Sequence, residues 1–299
     1  MASMAVLPNR FLVKLDINTD WFKTYHHPLG FLRLTVESGS KLGQDKEGKS
    51  FFKKLAHDVP DCFVKVLLSP EGEWRTKTVM NSRDPEWNET HDFLISDHDQ
   101  QIELDIDDDD TASDDDIGIA VTTVKKLLLD GGRQELSLAH KEEPIEGKVK
   151  LHAEFLKFVP DASSLKKQEA GTQGLLTVLV ASALGIQGQR QDLKPSVAVT
   201  WGTNAFRTAV KTDMLGTDIH NPAFDQAFRV PLVAGSIDGA APVRIALMDG
   251  NNEKGSVEIS LDEVLAAPDL TVQKDFELGG AGGAVVRAAV VLRGLELCK

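Results

Sequence analysis

Short runs that alternate apolar and polar residues or are apolar throughout recur along the chain, at 30–36, 63–68, 101–106, 148–155, 174–180, 196–201, 243–248 and 285–292. They are rich in Val, Leu, Ile and Thr, and turn residues separate them. A period of two sends successive side chains to opposite faces of a strand. Many short strands with turn signals between them predict an all-β sandwich. Helical periodicity is scarce: 50–57 (SFFKKLAH) fits a short helix inside a loop, and 122–129 and 261–266 fit short connectors.

The pattern occurs twice. Gly30 and Gly174 each open an apolar run, and each run is followed by a turn of one type, Asp84-Pro85-Glu86-Trp87 and Asn221-Pro222-Ala223-Phe224. In both, Asx-Pro starts the turn and an aromatic follows two residues after the proline. The similar offsets indicate an internal duplication. The polar stretch 160–173 (PDASSLKKQEAGTQ) reads as a tether. It divides the chain into a leader (1–28), a first domain (29–159) and a second domain (174–299), and 279–283 (GGAGG) reads as a hairpin loop.

Composition narrows the function. With 299 residues and 41% hydrophobic content, the chain can bury two cores. It has no apolar run long enough to span a bilayer and no signal-peptide pattern. Two distant cysteines, Cys62 and Cys298, point to a reducing compartment rather than a disulfide framework. A net charge of −13 excludes a general nucleic-acid binder. It also disfavours passive attraction to anionic lipid, so membrane binding needs something that reverses the local sign. No Gly-x-Ser-x-Gly elbow, phosphate loop or His-Glu-x-x-His motif is present, and the eight histidines have no zinc-ligand spacing. Catalysis within these residues is not expected.

One segment concentrates the chemistry. Residues 104–118 read LDIDDDDTASDDDIG. Carboxylates this dense repel one another, so either water and salt screen them or a hard divalent cation gathers them. Oxygen donors at irregular loop spacing suit Ca²⁺, which takes about 6–8 oxygens in flexible geometry. If Ile102, Leu104 and Ile106 face the core, alternation makes Asp108 and Asp110 the next inward pair. Asp107, Asp109, Asp114 and Asp116 blur that register, and a solvent-facing charge is the competing reading for each.

The segments PDCFVKV (60–66), RDPEWNETHDF (83–93) and DDDDTASDDDIG (107–118) resemble the C2 domain, a calcium- and phospholipid-binding β-sandwich. KPSVAVTW (194–201) and NPAFDQAF (221–228) resemble it again in the second half. AVLPNRFLVKL (5–15) and HPLGFLRLTVE (27–37) are similar to the junction between the lipid-transfer (SMP) module and the first C2 domain in extended synaptotagmins, tricalbins and plant synaptotagmins, with the module itself absent here.

The resemblance implies two tandem antiparallel eight-stranded sandwiches. It nominates Asp45, Asp61, Asp108, Asp110 and Asp115 as Ca²⁺ ligands. It also implies partners: anionic phospholipids, such as phosphatidylserine and phosphoinositides, on a cytoplasmic peripheral protein at ER–plasma membrane contact sites. Phe51 and Phe52, beside Lys53 and Lys54, either enter the headgroup zone or pack on the sandwich edge. Lys65, Arg75 and Lys77 either form a phosphoinositide patch or are simply solvated.

The second domain has Pro195 where the first has Asp61, and its later loop DGNNEKG (249–255) holds one aspartate and a lysine. Asp192 and Asp249 alone are too few for calcium. That domain is therefore read as calcium-independent: weakly lipid-binding through Arg207 and Lys211, protein-binding, or a spacer. A calcium-independent protein-interaction scaffold is the rival reading of the whole chain.

Overall fold

The computed structural model describes residues 21, 22, 25, 27–44, 59–69, 72–109, 115–166 and 171–298. Most of the leader and the helix expected at 50–57 lie outside them. Eight strands form the first half: β1 (Gly30–Ser40), β2 (Cys62–Leu68), β3 (Gly72–Arg75), β4 (Glu86–Ile95), β5 (Gln101–Asp108), β6 (Asp115–Thr123), β7 (Arg133–His140) and β8 (Glu143–Val159). Eight more follow: β9 (Thr172–Leu184), β10 (Pro195–Trp201), β11 (Asn204–Arg207), β12 (Ala223–Val233), β13 (Val243–Asp249), β14 (Asn252–Ile259), β15 (Thr271–Glu277) and β16 (Val285–Leu297).

Antiparallel pairing gives the first half two layers, β4-β1-β8-β7 and β3-β2-β5-β6. The second half repeats them as β12-β9-β16-β15 and β11-β10-β13-β14. The duplication extends to single hydrogen bonds. Thr76 Oγ1 accepts the Val64 N–H at 3.0 Å, and Thr208 Oγ1 accepts the Val197 N–H at 2.9 Å. Asn88 and Asp225 take positive φ of 51° and 49° at matching irregularities after the Asx-Pro turns. The helices α1 (Val124–Leu127) and α2 (Leu261–Ala266) fall on the two predicted connectors, capped by Thr123 and Ser260.

Each sandwich closes over its own core. Leu32, Leu34, Val64, Val66, Leu104, Ile106 and Trp87 belong to the first, and Val178, Val197, Val199, Ile245, Phe276 and Val290 to the second. Each such side chain contributes about 1.5–3 kcal/mol when fully buried. Gly30, at the start of β1, and Gly174, the third residue of β9, share one constraint: a Cβ there would collide with a neighbouring strand's carbonyl oxygen, Leu156 or Arg293.

Strand β9 carries apolar side chains on both faces through the run LLTVLV, interrupted only by the buried Thr177. Leu176, Val178 and Val180 enter the second core. On the other face Leu175 packs with Phe31, Leu156 and Leu295, and Leu179 packs with Trp21, Phe22 and Tyr25. The two halves also share hydrogen bonds, because Gly294 to Leu297 of β16 pair with Leu156 to Val159 of β8. Part of the stretch expected as a tether is folded. Ala162–Lys166 is a 3₁₀ turn in which Asp161 binds Ser163, and Leu165 joins the second core.

Candidate functional site

Crossings between strands meet at one end of the first sandwich. The segment after β1 meets the β3–β4 crossing through Leu42 N–H to Arg83 O, at 2.9 Å. Just before β2, Pro60 O accepts the Ser82 N–H at 3.0 Å. Asp61 then joins three segments. Its N–H donates to Asp108 Oδ1 at 2.7 Å, its carbonyl accepts the Asp109 N–H at 2.9 Å, and its Oδ1 accepts the Asn81 N–H at 2.7 Å. Asp115 stands directly across from Asp108 in the β5–β6 register, with Asp116 across from Asp107. Like charges placed opposite one another on adjacent strands cost stability.

Of the five nominated ligands, the structure gathers Asp61, Asp108 and Asp115 at this end. Asp45 and Asp110 lie outside the described residues, as do Phe51, Phe52, Lys53 and Lys54. Among the described residues alone, no three His, Cys, Asp or Glu side chains stand close enough to hold a metal ion. The donors present are oxygens, and the one nearby sulfur is not a ligand. Cys62 Sγ donates to Ser82 O at 3.3 Å, and burial, then Asp108 and Asp61, push its thiol up to about 12. An oxygen-only set on converging crossings fits Ca²⁺ and not a thiolate metal. Beneath it the Trp87 indole N–H donates to Cys62 O at 3.2 Å and fixes the floor.

Alternation divides the acid run between two faces. Asp108 follows Ile106 towards the loop end, while Asp105, Asp107 and Asp109 take the outer face of β5. There Lys65 Nζ meets Asp107 Oδ2 at 2.7 Å, and Arg75 Nη2 meets Asp109 Oδ2 at 2.8 Å. Both cations cover Phe63, Arg75 at 3.5 Å and Lys65 at 5.1 Å from the ring centroid. Phe63 is fully buried although it faces away from the core, and Asp107 is 5% exposed.

Asp107 is buried on this outer face. Lys65 and Arg75 stand side by side across β2 and β3, each paired with an aspartate, Asp107 and Asp109. Lys77 is exposed at the strand end, its N–H bound to Glu89 Oε1 at 2.8 Å. The sequence reading missed this outer-face cluster, because its register joins residues some forty positions apart.

Asp105 completes the cluster at a cost. Its Oδ1 is buried without a hydrogen-bond partner among the described residues. Burial, then Asp107 and Asp116, raise its carboxyl to about 6. A folded-state value above the ordinary 3.8 means that Asp105 favours the fold below about pH 4 and loses that contribution as pH rises through 6. Asp105→Asn should therefore flatten the stability profile between those values. It should also raise stability at pH 7 by about 1 kcal/mol after discounting for partial exposure, measured by denaturant titration at both pH values.

The second sandwich carries the same end with other chemistry. Lys194 N–H donates to Asp249 Oδ1 at 2.8 Å, and Lys194 O accepts the Gly250 N–H at 2.9 Å. These are the bonds of Asp61, so Lys194 and not Pro195 occupies its position. Lys254 Nζ lies 3.2 Å from Asp249 Oδ2. Arg207, the counterpart of Arg75, binds Ser196 Oγ and the Gly250 carbonyl.

The C2 domain family model matches residues 30–138 and 174–277. Human extended synaptotagmin-2 is 22% identical over 322 aligned positions, covering 100% of this chain and 33% of that protein. Human extended synaptotagmin-3 is 24% identical, over 99% of this chain and 35% of its own length. The chain thus spans about a third of these relatives. Among solved structures, the calcium-bound C2A and C2B domains of extended synaptotagmin-2 superpose with a TM-score of 0.70 at 20% identity, covering 92% of this chain and all of that one. The same tandem in a second structure gives 0.67 at 19% identity, with full coverage of both chains. With most of its length matched by one model in two successive copies, the chain belongs to the C2 domain family as a tandem whose homologues are the extended synaptotagmins.

Proposed function

We propose that the first domain binds anionic phospholipid membranes under calcium control, and that the chain is a binding module and not an enzyme. The observation that carries this is the convergence of Asp61 and Asp108, from separate crossings, with Asp115 opposite. Asp61, Asp108 and Asp115 would hold the ion, with Asp45 and Asp110 completing the set. Bound Ca²⁺ supplies positive charge and open coordination positions for lipid phosphate or carboxylate oxygens.

Without that charge the carboxylates repel an anionic leaflet. Each unit of charge near such a surface is worth about 1 kcal/mol, so a reversal of a few units moves binding by several powers of ten. The backbone bonds that tie Asp61 to Asn81, Asp108 and Asp109 keep the acids in place before the ion arrives, so little rearrangement is needed. The Lys254–Asp249 pair supports a calcium-independent second domain, since a cation of the chain itself stands on the one acid there, and the position of Asp61 holds Lys194. A solved C2A–C2B tandem of extended synaptotagmin-2 has calcium bound, which supports the calcium reading of this tandem.

The likeness to extended synaptotagmins supports a peripheral role at ER–plasma membrane contact sites. The test is co-sedimentation with phosphatidylserine-containing vesicles in calcium and in EGTA. Binding that rises on adding calcium, with that increment removed by EGTA, is expected. Equal recovery in both, with and without lipid, supports the protein scaffold instead.

A further inference from the structure

The segment that leads into β1 packs against the second sandwich. Trp21, Phe22 and Tyr25 lie on the outer-face residues Leu179, Ala289 and Val291. They form a braced turn. The Tyr25 N–H donates to Phe22 O at 3.2 Å, and His27 Nε2 lies 3.1 Å from the same oxygen. The His27 ring stands 4.6 Å from that of Phe22 and 5.4 Å from that of Tyr25. Arg229 Nη2 donates to the Tyr25 hydroxyl at 3.4 Å.

Beside this turn is a cavity of about 230 Å³. Trp21 and Tyr25 line it from the leader, Leu179 to Ala181 of β9 give it an apolar backing, and Asp225 and Gln226 enter from β12. Asp225 reaches it through a bulge. The β12–β9 register slips between Ala223 and Gln226, and Asp225 takes φ +49° there. Asp225 is exposed, and no lysine or arginine is among the lining residues. The Gln226 carbonyl is already engaged, since Oε1 accepts the Ala209 N–H at 3.0 Å. The first sandwich repeats the bulge at Asn88, φ +51°, with an amide in place of the carboxylate.

We infer that this cavity is a binding site for a quaternary ammonium group, the trimethylammonium of choline or of a choline head group. Two aromatic side chains beside one carboxylate attract a weakly hydrated cation through ring quadrupole and charge together. A primary ammonium would give up hydrogen bonds to water that this apolar backing does not return. Quaternary methyl groups have none to lose. An anion would meet Asp225, and a neutral apolar group would leave that carboxylate without a counter-charge. The volume is below the roughly 300–1,000 Å³ of sites for drug-sized ligands, so it takes a head group and not an acyl chain. The inference uses no calcium and none of the acids of the first domain.

The test is titration of the full chain with choline chloride in EGTA, read by the NMR shift of the choline methyl protons, which aromatic faces move upfield. A saturable upfield shift is expected, and the neutral tert-butyl isostere of choline should bind at least about tenfold more weakly. Asp225→Asn should weaken choline by about tenfold with the fold kept, because Asn88 already holds the equivalent bulge. Trp21→Ala should abolish the shift, and Tyr25→Phe, which keeps the ring, should retain it. Competition by phosphatidylcholine vesicles marks a lipid head group as the source, and competition by free phosphocholine alone marks a solute; either supports the site. No saturable shift, equal binding of the neutral isostere, or unchanged affinity of Asp225→Asn overturns it and leaves the aromatics as a cover for Leu179, Ala289 and Val291. Failure of the calcium reading is separate, appearing as no increment in vesicle binding when calcium is added.

Discussion

Replacing Asp61 and Asp108 together by Asn is expected to remove calcium-dependent vesicle binding while the fold survives. Asn keeps an oxygen at Oδ1, so the bonds from the Asn81 and Asp61 N–H groups remain available. The two negative charges that repay the desolvation of a divalent ion are gone. Calcium affinity tracks the number of charged ligands, so a loss on the order of 100-fold is expected, read as the calcium concentration at half-maximal vesicle binding. Relief of repulsion between facing acids should leave the double variant at least as resistant to denaturant as the parent. Retained calcium dependence at the original midpoint would remove these residues from the ligand set.

Trp87→Ala carries the second large effect. Trp87 is buried in the first core, one residue inside β4, and its indole N–H holds the carbonyl of Cys62 at the base of the acid pair. Truncating a buried Trp costs about 3–5 kcal/mol. Because the two sandwiches have separate cores, the loss should appear as faster hydrogen exchange in β1 and β4 ahead of β9 and β16. Trp87→Phe retains most of the ring volume and gives up the N–H, costing about 1 kcal/mol from the hydrogen bond. Phe224 holds the corresponding place in the second sandwich without such a donor. Equal protection loss in both halves on Trp87→Ala would mean that the cores unfold as one unit.

Much of the fold was legible because its signals are local. Asp84-Pro85 and Asn221-Pro222 declare their turns, and short runs rich in Val, Leu, Ile and Thr mark the strands. The candidate ligands were legible in part, for the same reason: alternation from Ile102 to Ile106 assigns Asp108 to the loop end, where the structure places it. What depended on register was not. The lock of Lys65 on Asp107 and of Arg75 on Asp109 joins strands far apart in sequence, and a lone lysine or arginine on a strand gives no sign of its partner. The match of Lys194 to Asp61 was obscured because Pro195 draws attention as the odd residue, whereas the backbone bonds to Asp249 and Gly250 fix the alignment one position earlier.

Isothermal titration of the full chain with calcium chloride, alongside its Asp61→Asn/Asp108→Asn variant, bears most directly on whether side chains from separate crossings form one cation pocket. Saturable heat from the parent, absent from the variant, is the expected result. A parent that gives no saturable heat at millimolar calcium, or a variant that matches it, would contradict the pocket.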